Sequence, residues 1–282
     1  MSPRELAADG VEVSFGHRQV LNGAHLHIPK AKRLALLGAN GSGKTTLLRT
    51  LAGSVRPSAG HVLVDGQAVG YGRAALKTHR QVVQLVAQNP DDQLFAADVY
   101  RDISFGPMNL GLSEAEVRGR VGQALSLLSI TDLAERPIQE LSFGQRKRVA
   151  IAGALAMQPS IVLLDEPTAG LDPHGVDEMV SALECLLAAH TTVVIATHDV
   201  DFALRWADSV AVLVDGLVRH GSPTEMLGDA DLVMGARLRR PLVLQAAAQL
   251  GLDLRGIRDI DALVDAVNLE FTPVASGRSR LG

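Results

Sequence analysis

Two stretches of this 282-residue chain carry residue types that handle phosphate groups and a divalent cation. The first, Gly38-Ala39-Asn40-Gly41-Ser42-Gly43-Lys44-Thr45 followed by Thr46, fits the pattern G-x-x-x-x-G-K-[ST]. Glycines in such a loop let successive N–H groups turn toward one centre, and a following helix adds the positive end of its dipole. Lys44 would reach the β- and γ-phosphates of a nucleoside triphosphate, and Thr45 would offer its hydroxyl oxygen to Mg²⁺. The second stretch, Ile161-Val162-Leu163-Leu164-Asp165-Glu166, sets two carboxylates behind four apolar residues. Asp165 suits a Mg²⁺ ion held through water, and Glu166 suits polarising an attacking water as general base. A Gly-rich turn alone, or a Leu-Leu-Asp-Glu run alone, has an ordinary structural explanation. Together they point to nucleotide hydrolysis.

Such a site needs strands to carry it. Arg33–Leu37, Val82–Val86, Ile161–Leu164, Thr192–Ala196 and Ser209–Val214 are short, continuous apolar runs, the pattern of parallel strands covered on both faces. Helical stretches between them give the β-α-β alternation of an open α/β sheet. Thr45–Ala52, with Gly53 past its end, reads as the helix after the phosphate loop. Shorter alternating segments over Val11–Ile28 predict an antiparallel β-subdomain. Strand character vanishes from about Pro90 to Met157. There Ser113–Ser129 reads as a helix with Ser113 as N-cap and Glu116 closing a capping box, and Gly144–Met157 as a second helix. Ser222-Pro223-Thr224-Glu225 starts a further helix. Leu242–Leu250 and Ile260–Val267 are also helical in pattern, and Ser276–Gly282 is expected to be disordered.

Composition narrows the function classes. The formal net charge of −4 gives no bulk attraction to nucleic acid or anionic lipid. The lone Cys185 has no partner for an internal disulfide, fits a reducing compartment, and is expected to be a small buried hydrophobe. Met1–Leu6 lacks the apolar core of a signal peptide, and no run approaches the ~20 apolar residues of a membrane-spanning helix. His25 and His27 lie two apart on an expected strand and face one side. Two ligands are too few for a metal site, so a solvated strand face is expected.

Leu141-Ser142-Phe143-Gly144-Gln145 reads locally as an N-cap and turn before a helix, but it also resembles the Leu-Ser-Gly-Gly-Gln signature of ABC ATPases, with Phe143 in place of the first glycine. That resemblance implies that Ser142, Gly144 and Gln145 bind ATP held by another subunit. Other positions match the family in order. Phe15 stands where an aromatic ring stacks on adenine, unless it is simply a core residue, and Gln88 resembles the glutamine that senses Mg²⁺ and the attacking water. Ala169-Gly170-Leu171-Asp172 resembles the loop that couples the two sites of a dimer, through Asp172. His198 resembles the switch histidine that contacts γ-phosphate. The resemblance covers about residues 5–228. It implies a P-loop NTPase fold of the ABC type: an antiparallel β-subdomain, a RecA-like α/β core, a helical subdomain at about 89–157, and a C-terminal helical extension over 229–282. The implied cofactors are ATP and Mg²⁺.

Three classes could use such a site: a transporter motor, a soluble ABC protein of DNA repair or translation, and a small-molecule kinase. A kinase has no use for Leu141–Gln145. The soluble proteins carry two cassettes or a long coiled-coil insertion, which this chain lacks. Asn89-Pro90-Asp91-Asp92-Gln93-Leu94-Phe95, then Asp102–Leu112, then Arg148–Met157, resemble the energy-coupling-factor importers, most of all their cobalt and nickel uptake ATPases. Vitamin uptake is the alternative cargo. The implied partners are a second ATPase subunit, more naturally a second copy than a different chain, a transmembrane coupling protein and a substrate-binding membrane component. No nucleic acid is expected. Leu94 and Phe95 would dock the membrane partner, unless they are core of the helical subdomain. The implied location is the cytoplasmic face of the cell membrane.

Overall fold

A computed structural model describes residues 3–188 and 190–271; the expectation for Ser276–Gly282 lies outside them. The chain opens with β1 (Leu6–Phe15), β2 (Arg18–Ile28) and β3 (Arg33–Leu37), then α1 (Lys44–Leu51). Next come β4 (Ala59–Val64), β5 (Gln67–Ala68), α2 (Arg73–Val82) and β6 (Val83–Val86). The helical stretch holds α3 (Val99–Asn109), α4 (Glu114–Leu127) and α5 (Phe143–Ala156). Strands and helices then alternate: β7 (Ile161–Asp165), α6 (Pro173–Ala188), β8 (Thr192–Thr197), α7 (Val200–Trp206), β9 (Ser209–Val214) and β10 (Leu217–Gly221). The described chain closes with α8 (Pro223–Gly228), α9 (Ala230–Gly235), α10 (Leu242–Gln249) and α11 (Ile260–Phe271).

Two sheets result. The smaller is antiparallel, in the order β2-β1-β4-β5, and the larger runs β10-β9-β3-β8-β7-β6. Within the larger, β9, β3, β8, β7 and β6 are parallel and only β10 is reversed. Period-2 alternation splits each parallel strand between two cores. Leu34 and Leu36 of β3, with Ile161 and Leu163 of β7, face a core shared with α1 and the small sheet. Ala35 and Leu37, with Val162 and Leu164, face the core built with α3–α7 and the C-terminal helices. Both faces are dry, which explains why these strands read as unbroken apolar runs.

Most expected elements fall within a residue or two of the observed ones, but the antiparallel region starts at Leu6 rather than Val11 and α11 runs to Phe271 rather than Val267; β4, β5, α2, α3, α6, α7, α9 and β10 were not anticipated. The helix expected from Ser113 is capped as anticipated: Ser113 Oγ accepts from Glu116 N, and Glu116 reaches back to Ser113 N. His25 and His27 are both exposed on β2, beside Asp9 and Glu5. Among the described residues no group of three or more His, Cys, Asp or Glu could hold a metal ion. None of the described helices is long and apolar enough to cross a membrane.

One expectation fails. Cys185 is exposed, not buried. The buried stripe of α6 is Met179, Ala182, Leu183 and Leu186, a 3.6-residue repeat, and Cys185 lies just outside it, about 60° beyond Ala182.

Candidate functional site

Ligands of open α/β sheets bind at the carboxyl ends of the strands. Here the order β3-β8-β7-β6 sets four loops side by side: Gly38–Gly43 after β3, His198 after β8, Glu166 after β7 and Gln88 after β6. They surround a cavity of about 580 Å³ whose walls include Phe15, Asn40, Gly41, Gly43, Lys44, Thr45 and Thr46, together with Gln88, Asp165, Glu166 and His198.

The loop needs its glycines for space and for torsion. Gly43 precedes α1 with φ 113°, and a Cβ there would sit 2.9 Å from Val20 Cγ1. Only glycine meets both demands at low cost. The first turn of α1 then presents N–H groups that have no partner within the helix. The Lys44 ammonium, 6% exposed, donates to the carbonyls of Gly38 (2.8 Å) and Ala39 (3.3 Å) and lies 3.8 Å from Glu166 Oε1. Burial pushes its pKa below the ordinary lysine value, against the opposing pull of Glu166 and Asp165.

Thr45 Oγ1 donates to Asp165 Oδ2 at 2.6 Å, so hydroxyl and carboxylate converge on one point. Burial raises the Asp165 pKa, and the bond from Thr45 lowers it again by less. A buried carboxylate beside a hydroxyl, with the Gln88 amide on the same cavity wall, is a hard-oxygen donor set that fits Mg²⁺. Glu166, 6% exposed, faces two nitrogen groups: the Lys44 ammonium at 3.8 Å and His198 Nδ1, which lies 3.0 and 3.1 Å from its two oxygens. Glu166 itself adopts φ 48°, a left-handed conformation uncommon for a residue with a Cβ.

Not every anticipated residue lies on this cavity. Gly38 contributes its carbonyl to Lys44, and Ser42 lines an adjoining cavity that shares Asn40 and Gly41 with this one. Ser142, Gly144 and Gln145 are absent from the cavity wall of their own chain, as is Asp172. Ser142 caps α5, accepting from Gln145 N while Gln145 Oε1 accepts from Ser142 N. Asp172 Oδ1 accepts from Gly175 N and starts α6. Phe15 is 56% exposed at the end of β1, so it is no core residue. Leu94 and Phe95 divide: Leu94 packs against the core, while Phe95 is 63% exposed and meets Phe105 edge-on at 4.7 Å. Both line a groove of about 550 Å³ rimmed by Arg73, Lys77 and Arg80.

Arg18 and Val20 are cavity residues that sequence reasoning missed. Arg18 pairs with Phe15 across the β1–β2 turn and donates to Gly41 O at 3.2 Å. Its place three residues after Phe15, across Gly16-His17, was the available signal.

Residues 21–169 match the family model described as ABC transporter. The chain is 49% identical over 244 residues to the cobalt import ATP-binding protein CbiO of Rhodobacter capsulatus, covering 86% of this chain and 87% of that one. It is 45% identical over 225 residues to the energy-coupling factor transporter ATP-binding protein EcfA of Methanocaldococcus jannaschii, covering 79% and 81%. Among solved structures it is similar to cbiO1 from Clostridium perfringens, described as part of the ABC transporter complex cbiONQ. That likeness has a TM-score of 0.74 at 38% identity, over 86% of this chain and 98% of that one.

Proposed function

The chain belongs to the ABC transporter family of ATP-binding proteins, and from that premise we propose how its residues hydrolyse ATP and which importer they drive. It is a transport-coupled ATPase, the motor subunit of an energy-coupling-factor importer. One observation carries the mechanism: the buried Glu166 carboxylate lies at the phosphate-loop cavity within 3.8 Å of Lys44 Nζ and 3.0 Å of His198 Nδ1.

Phe15 stacks on adenine through its exposed ring, and Arg18 on the same hairpin adds a positive charge beside the phosphates. The N–H groups at the start of α1 and the Lys44 ammonium hold the β- and γ-phosphates. Thr45 and Asp165 would hold Mg²⁺, with Gln88 beside them; when bound, the ion neutralises the phosphate oxygens as charge builds on them. Glu166 accepts the proton of a water that attacks the γ-phosphorus in line, while the bond to the β-phosphate oxygen breaks. His198 orients the Glu166 carboxylate and meets the γ-phosphate from the neighbouring strand. Ser142, Gly144 and Gln145 lie off their own cavity, which supports their being lent to a neighbour's ATP. The active unit is then a pair of chains, a homodimer because one chain carries both halves, coupled through Asp172.

Cobalt is the cargo we infer, because a relative covering most of this chain is named a cobalt import protein. The groove holding Phe95 and Phe105 docks the membrane coupling protein, which works with a substrate-binding membrane component. The motor therefore sits on the cytoplasmic face of the membrane.

E166Q should keep ATP affinity, lose about 10²–10⁴-fold of turnover, and elute as a dimer when ATP is present. Wild-type turnover in that variant would remove Glu166 as the base. Uptake of radiolabelled cobalt, nickel or vitamin by cells carrying the complete importer, with E166Q as the blank, reads the cargo directly.

A further inference from the structure

Helix α5 begins at Phe143, and one turn later it buries a lysine that the mechanism above does not use. Lys147 is 4% exposed. Its ammonium donates to three main-chain carbonyls of the turn that follows β7: Glu166 (2.8 Å), Pro167 (3.1 Å) and Ala169 (2.7 Å). Burial pushes its pKa down to about 8, with Glu166 and Asp165 opposing. A cation is kept dry only where its donors are satisfied, and here three carbonyls do so.

The same ammonium lies 5.2 Å from the centre of the Phe143 ring. That ring packs on Gly170, where a Cβ would come within 3.1 Å of Phe143 Cε1. The residue that replaces the first signature glycine thus roofs the lysine and touches the Ala169–Asp172 loop. Its neighbours extend the linkage. Arg146 pairs with Asp91 at 2.9 Å, in the segment after Gln88, and Arg148 pairs with Glu178 of α6 at 3.2 Å.

Glu166 needs such support. Its φ of 48° costs free energy and persists only where surrounding contacts over-determine it. From the strand side, Glu166 N donates to Ala196 O at 2.9 Å. From the helix side, Lys147 holds the Glu166 carbonyl.

We propose that Lys147, roofed by Phe143, is a positioning residue that fixes the Glu166 turn from the signature helix. The end of α5 that meets a neighbour's ATP is thereby tied to the carboxylate that activates water in this chain's own site. The proposal rests on the reading of Glu166 as the base and of Ser142–Gln145 as acting in trans.

The test compares K147M, K147Q, E166Q and the double variant K147M/E166Q in the full chain, measuring ATPase rates and binding of a fluorescent ATP analogue. K147M and K147Q should lower kcat by about 10- to 100-fold with KM and analogue affinity nearly unchanged, as a misplaced catalytic group does. In the E166Q background K147M should cost almost nothing further, since the group it positions is already gone. K147Q gives the same reading if the methionine variant fails to fold. Wild-type kcat in K147Q, a loss confined to nucleotide affinity, or losses that multiply fully with E166Q would overturn the proposal. Wild-type turnover in E166Q alone would instead bring down the general-base reading itself, a result distinct from an active K147Q beside an inactive E166Q.

Discussion

Lys44 shows how one side chain serves fold and chemistry together. Its ammonium is buried against Gly38 O and Ala39 O and faces Glu166. Removing it takes away a charged donor of the kind that contributes roughly 1.5–3 kcal/mol per hydrogen bond, so Lys44→Ala should weaken ATP binding by about tenfold or more. Equilibrium titration with a fluorescent analogue checks this, and an unchanged Kd with only a lower rate would contradict it. The residues of this loop were legible in the sequence because their chemistry is local: eight consecutive positions fix the turn, the buried ammonium and the hydroxyl that meets Asp165. Arg18 was not legible in that way. It reaches Gly41 from a hairpin, so its only sequence signal is its place across the Gly16-His17 turn from Phe15.

At the level of elements, α4 and α5 open with the same device. Ser113 with Glu116 and Ser142 with Gln145 both form capping boxes. For α4 the box only starts a helix, so Ser113→Ala should reduce stability by about 1 kcal/mol and leave ATPase activity intact. Urea denaturation and a steady-state rate measure the two halves of that statement. For α5 the same bonds also order Ser142–Gln145, the segment we propose is lent to a neighbouring chain. Capped helices and doubly buried strands could be read from the sequence because each obeys a short-range rule. Helix α2 was missed: among its ten residues only His79 and Val82 are buried, so its apolar side is short and includes a histidine. The hairpin of β4 and β5 is similarly silent, with only Val62 of its eight residues buried.

Across the whole molecule, the decisive fact is strand order, which no local pattern reveals. Because β8 lies between β3 and β7, His198 stands beside Glu166, and Glu166 in turn faces Lys44. The strands were readable in the sequence; their order was not. The groove with Phe95 lies away from this site, so its test is separate. Phe95→Asp should abolish co-purification with the membrane partner while ATP binding persists, and undiminished association would exclude the groove as the docking surface. Cys185 is the one cysteine in 282 residues, and it lies exposed on α6. A homodimer therefore carries a single symmetry-related pair of thiols in its natural sequence. A nitroxide attached there yields one interspin distance per dimer, so the opening and closing of this motor can be followed by pulsed resonance without engineering a residue.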